Sequence, residues 1–124
     1  IMAVMQSRDN RTFIAGEDLS AAQFKFVTLE ADGQVDLADS AGENAIGVCL
    51  AGAAAGAAVT VCVSGSVMVE AGGAITAGDQ IQTGADGTAL LAATGDVVLG
   101  YAREDGVDGQ IIEIEMIQGG NVAA

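Results

Sequence analysis

The chain carries one pattern twice, and a doubled pattern restricts the fold to something assembled from two similar units. Gly16-Glu17-Asp18-Leu19-Ser20 returns as Gly72-Gly73-Ala74-Ile75-Thr76, and Ala31-Asp32-Gly33 returns as Ala85-Asp86-Gly87. Ile46-Gly47-Val48-Cys49-Leu50, then Gly56, then Val59-Thr60-Val61-Cys62-Val63, returns as Leu99-Gly100-Tyr101-Ala102-Arg103, Gly109 and Ile112-Glu113-Ile114-Glu115-Met116. The offset in that last block is constant at 53 (100 − 47, 109 − 56, 112 − 59), whereas earlier landmarks sit at 54 (86 − 32) and 56 (72 − 16). A repeat of this length marks a supersecondary unit that cannot bury its apolar face alone. At 124 residues, two copies fit one small domain rather than an extended array.

The units read as β. Apolar residues alternate in 24–29, 34–38, 46–51, 58–64 and 67–70, and again in 88–92, 97–102 and 111–117, which is strand spacing. Gly65 breaks the run between 58–64 and 67–70, and residues 75–81 turn into a further strand. The two Ala-Asp-Gly triplets suit hairpin turns. Asp18–Phe24 could open a short helical turn capped by Asp18 or Ser20. Short strands at regular spacing with Gly turns predict an all-β barrel or sandwich. Its core must be Val, Ile, Leu and Ala, because the chain has one Tyr, three Phe and no Trp. Residues 1–14 have no clear period and read as an extended N-terminal arm. A single β domain follows over 15–118, with internal copies at 15–66 and 71–118, then a tail at 119–124. The first residue is Ile, and 1–6 lack the basic start and long apolar core of a signal peptide. No apolar run reaches the length of a spanning helix.

Charge and residue inventory exclude most chemistry. Residues 1–14 hold Arg8, Arg11 and Asp9, net +1, while 15–124 hold Lys25 and Arg103 against sixteen acids, net −14. A body this acidic repels phosphate backbones and anionic membranes, so neither nucleic acid nor membrane is an expected partner. There is no His, which removes Cys–His catalysis, Cys2His2 zinc and the commonest general base. The acidic loop Glu104–Gly109 matches no calcium-loop spacing and reads as solvated. Ala77–Ile81 looks like a carrier-domain strand, but that function needs a Lys at a hairpin tip, and the one Lys is Lys25. No metal or cofactor is expected, and no enzyme. Cys49 and Cys62 fall on adjacent strands; a hairpin centred near Ala55 and Gly56 would set them opposite each other, in reach of a disulfide, with packed free thiols favoured. The last strand, with Ile112, Ile114 and Met116 against Glu113 and Glu115, is expected to turn its acidic face to water.

Val63-Ser64-Gly65-Ser66-Val67, Ala74–Ile81, Ala85-Asp86-Gly87, Leu99-Gly100-Tyr101-Ala102 and Gly109 with Ile112-Glu113-Ile114, in that order, resemble the capsid cement (decoration) proteins of tailed bacteriophages. The likeness covers most of 45–118. It implies a β-tulip-like barrel made of two similar halves, and a structural role in the virion. Such proteins sit as homotrimers on the outer capsid surface and clamp neighbouring major capsid protein subunits, and the N-terminal arm often helps to anchor them. The protein would then be made in the host cytoplasm, with the major capsid protein and its own copies as partners. No catalytic residue carries over. Arg8, Arg11, Phe13 and Ile14 are the expected capsid or subunit contacts, because the arm holds the one local basic excess and can add a strand to a neighbour's edge. An acidic all-β module of a secreted or surface-array protein, of adhesin or S-layer type, is the alternative.

Overall fold

The computed structural model describes residues 7–117 and residue 123; among these the chain is all-β, with no helix. Nine strands form one antiparallel sheet: β1 (Ser7–Ile14), β2 (Phe26–Leu29), β3 (Val35–Leu37), β4 (Gly47–Cys49), β5 (Ala58–Glu70), β6 (Gln80–Thr83), β7 (Ala89–Leu91), β8 (Gly100–Ala102) and β9 (Ile111–Met116). The sheet curls into a half-barrel in the order β3-β2-β4-β5-β9-β8-β6-β7, and β1 adds to β5. Residues 1–6, 118–122 and 124, which include part of the expected arm at 1–14 and most of the expected tail at 119–124, lie outside the described residues.

The strand order repeats as the sequence does. β3-β2-β4-β5 and β7-β6-β8-β9 are one arrangement met twice. The hydrogen bonds recur at the same offsets. Gly16 N–H donates to Val35 C=O as Gly72 N–H does to Ala89 C=O, and Leu50 N–H donates to Thr60 C=O as Arg103 N–H does to Glu113 C=O. Ala15 N–H donates to Ala57 C=O as Ala71 N–H does to Gln110 C=O. These bonds give β1 a counterpart. β1 lies antiparallel to the stretch 58–65 of β5, and the stretch 66–70 of β5 lies antiparallel to β9. β5 therefore closes the first half and opens the second. Residues 7–14, read as an arm, are extended and pair along β5 of their own chain.

Gly65 was expected to end a strand; instead β5 runs through it as a single strand. Gly65 takes φ 90°, a conformation glycine adopts without the clash a Cβ would bring. The β1–β5 register slips at this point, between Ser7, Asp9 and Asn10, as at a β-bulge. The slip keeps the ladder but changes which residues face which side. Val59 and Val61 enter one core cluster with Ala15, Leu19, Ala22, Val27, Val35 and Cys49. Beyond Gly65, Val67 and Val69 enter the other.

That second cluster holds the matching residues of the second half, Ala71, Ile75, Ile81, Ala89, Ala102, Ile112 and Ile114. It also takes in Phe26, Val48 and Cys62 from the first half. Phe26 pairs with Val48 and Val48 with Cys62, so these three share one face of the first half, the face turned away from its own cluster. The halves thus stack head to tail. The outer face of the first half covers the inner face of the second, with Leu99 and Met116 at the contact.

The register also corrects the cysteine geometry. Cys49 lies opposite Val61, and Cys62 opposite Val48. One residue of offset sends the two side chains to opposite faces of the sheet, into different clusters. Both are buried free thiols, with Sγ donating to Ala51 C=O and Ser64 C=O respectively. Desolvation pushes both thiols above their ordinary range. The helical turn expected at Asp18–Phe24 is a chain of tight turns: Ala22 N–H donates to Leu19 C=O, Lys25 N–H to Ala22 C=O, and Ser20 N–H to Asp18 Oδ1.

Candidate functional site

The four contact residues expected on the arm do not form one patch. β1 pairs Arg11 with Val61 and Phe13 with Val59, so Arg11 and Phe13 stand on the face of the first cluster, against which Phe13 packs half-buried. Ile14 pairs with Ala58, points to the other face and is 41 % exposed. Arg8 lies in β1 by its backbone, but its side chain is outside the described residues. Arg11 donates from Nε and Nη2 to Asp9 Oδ2 at 3.2 and 2.9 Å. This pair is exposed and contributes little to stability.

Arg11 and Phe13 instead join residues that the sequence reading did not offer as contacts. With Asp9, Ile46, Val63 and Ser64 they line a groove of about 430 Å³. Its floor is apolar and its rim carries one charge of each sign. The signal for Ile46 and Val63 was present in the repeat. Their counterparts Leu99 (46 + 53) and Met116 (63 + 53) are fully covered, whereas Ile46 and Val63 are only half-buried.

Two further depressions are acidic. One, of about 490 Å³, is lined by Thr28, Leu29, Glu30, Glu43, Asn44, Ala45 and Ile46. The other, of about 320 Å³, is lined by Gly16, Glu30, Ala31, Asp32, Gln34 and Asp36. Of the lining acids, Asp32 accepts from Gln34 N–H and Glu43 from Asp39 and Ser40 N–H, Glu30 accepts from the Thr28 hydroxyl, and nearby Glu17 accepts from Leu37 N–H. Among the described residues no group of three or more His, Cys, Asp or Glu is placed to hold a metal ion. In the loop Glu104–Gly109, Asp105 accepts from Ala77 N–H and Glu104 from Glu113 N–H.

Asp36 is the exception. Its Oδ1 is buried without a hydrogen-bond partner. Desolvation pushes its carboxyl above the ordinary aspartate value, and Glu17, Glu30, Asp32 and Asp39 add repulsion. A raised folded-state pKa means that stability falls as pH rises from the unfolded-state value through the folded one. Asp36→Asn is therefore expected to stabilise the protein at neutral pH, by about 0.5 kcal/mol because solvent screens these charges. The advantage should vanish below the ordinary value of 3.8. Thermal melts of both proteins across that range check this.

The acidic face of β9 needs correction. Glu115 faces water, but Glu113 is buried, because Arg103 Nη1 reaches its Oε2 at 2.9 Å and supplies the partner a buried carboxylate requires. Arg103 also lies 3.8 Å from Glu115 Oε1. Tyr101 sits in the ladder opposite both Gln80 and Glu115 and is 39 % exposed.

Residues 5–116 match the family model of the phage cement proteins. No curated protein sequence matches the chain. Among solved structures, the chain is similar to the N base of the head fibre gp8.5 of bacteriophage phi29, with 22 % sequence identity and a TM-score of 0.70, over 88 % of this chain and 93 % of that one. That likeness concerns the fold.

Proposed function

Because the chain belongs to the phage cement protein family, whose role is structural and capsid-associated, we propose that it binds the outer surface of the phage head as a homotrimer. There it stabilises the lattice of the major capsid protein, without catalysis. The match over residues 5–116 carries this reading, and the absence of His from the whole chain agrees with it. Residues 1–14 are the attachment segment in this reading, 15–118 the body and 119–124 a tail. Arg8, Arg11, Phe13 and Ile14 are the contacts with the capsid or with a neighbouring copy. Many symmetric placements convert a weak single contact into firm attachment.

The strand pairing of β1 determines how this is tested. Deleting residues 1–14 would strip a strand from β5, and lost binding would then mean only lost folding. A point change avoids this. The counterpart of Ile14 in the second half is Glu70 (14 + 56), which the same fold already accommodates. Ile14→Glu is expected to fold normally and to lower occupancy on expanded capsids at least tenfold in co-sedimentation. Occupancy equal to that of the unaltered protein would remove Ile14 from the contact. Failure of the unaltered protein to co-sediment with capsids would overturn the proposal.

A further inference from the structure

The stacked halves show how one surface of this fold becomes covered, and leave the same surface only half-covered at one end. In the second half the rim of the inner face, Val69, Leu99 and Met116, is buried in a cluster with Phe26, Val48 and Cys62 from the outer face of the first half. The counterparts of the three rim residues are Phe13 (69 − 56), Ile46 (99 − 53) and Val63 (116 − 53). All three are half-buried and line the 430 Å³ groove. The counterparts of the three covering residues are Gln80 (26 + 54), Tyr101 (48 + 53) and Glu115 (62 + 53). All three are exposed, side by side in one ladder. Among the described residues, each molecule therefore has one half-buried inner rim and one exposed outer face, and in the intramolecular contact these two kinds of surface meet.

We propose that the groove's occupant is a second copy of this chain, seated by the outer face of its second half. Gln80, Tyr101 and Glu115 of one copy lie over Phe13, Ile46 and Val63 of the next. The chemistry of the two faces is complementary. Tyr101 is an aromatic anchor of the kind that fills an apolar pocket at an interface while keeping its hydroxyl wet. The groove rim offers Arg11 to Glu115 and Asp9 to Arg103, so each charge can exchange its exposed partner for one across the contact. The geometry is heterologous: different faces meet, and the contact repeats until a ring closes. This rests on the self-association proposed above and adds which faces make it. It assigns Arg11 and Phe13 to the neighbouring copy, and leaves Ile14, on the opposite face of β1, to the capsid.

The test uses full-length protein. Ile46→Cys and Tyr101→Cys variants are mixed and mildly oxidised; native Cys49 and Cys62 are buried. A disulfide-linked product containing one chain of each kind is expected, with little product from either variant alone. In parallel, light scattering should show that Tyr101→Glu shifts the assembly to monomer while the circular dichroism of the folded chain is retained, since Tyr101 is exposed and outside the core. If the Tyr101→Glu protein remains assembled and the mixed disulfide is missing, the faces are wrong while self-association stands. Ile46→Cys pairing chiefly with itself would mean an isologous contact and would also overturn the proposal. A wild-type chain that stays monomeric at the highest concentration reached removes both readings.

Discussion

Phe26→Ala is expected to cost about 4 kcal/mol of stability, as for large-to-small changes of a fully buried Phe, whereas Gln80→Ala at the matching position of the second half should cost almost nothing. Both residues occupy the same place in the same strand of the repeat (80 − 26 = 54). Phe26 is fully buried because the second half lies beneath it. Gln80 is exposed because none of the described residues covers it. Removing the phenyl ring opens a cavity between the halves, and the fixed backbone around it limits collapse: Phe26 N–H donates to Gly87 C=O and Glu70 N–H to Phe24 C=O, tying the two halves at that point. The measurement is urea unfolding of both variants, read as the change in midpoint at constant slope. A loss at Phe26 of under about 1 kcal/mol would contradict the head-to-tail stacking, since that stacking is what makes the site a core site.

This asymmetry marks how far the sequence could be read. The two Ala-Asp-Gly turns, the strand list and the pairing of the blocks at 46–63 and 99–116 were legible because turns and alternation are local. Face assignments were legible only in part. Replacement of Thr60 and Cys62 by Glu113 and Glu115 pointed to one covered hairpin and one wet one. Cys62 is covered and Glu115 wet, but Thr60 is exposed, and Glu113 is buried through Arg103, a partner ten residues away that no alternation pattern reveals. Phe24 was expected to be buried within a strand. It takes φ 63°, the one positive value at a non-glycine among the described residues, where the second half has Gly78 at φ 92°; the turn is inherited from the repeat and masked by the side chain. β1 looked unlike anything in the second copy because its counterpart is the end of β5, which the break at Gly65 makes read as a separate strand over 67–70. The groove was hidden for the same reason: Phe13, Ile46 and Val63 lie far apart in the chain, and their significance emerges only against the covered residues Val69, Leu99 and Met116.

The second large effect separates two uses of glycine that the repeat makes look alike. Gly47→Ala and Gly100→Ala should each cost about 3 kcal/mol, from overpacking against atoms that cannot move aside. A Cβ at Gly47 would fall 2.2 Å from the Cys62 carbonyl oxygen and 2.8 Å from Val61 Cγ1, and one at Gly100 would fall 2.3 Å from the Glu115 carbonyl oxygen. The obstacle is backbone of the neighbouring strand in both halves, so β4 would have to part from β5, and β8 from β9. Gly56 and Gly109 are also counterparts (109 − 56 = 53), but their Cβ positions face open space. Their φ values of 83° and 85° leave only the left-handed strain of an L residue, about 1 kcal/mol. The expected ranking in denaturant unfolding is therefore Gly47 and Gly100 well above Gly56 and Gly109, with the members of each pair nearly equal. Equality within pairs follows from one backbone geometry built twice. A ranking that instead grouped Gly47 with Gly56, against Gly100 with Gly109, would mean that the halves differ in stability more than the glycines differ in role, and that the close strand approach is not what places glycine at these positions.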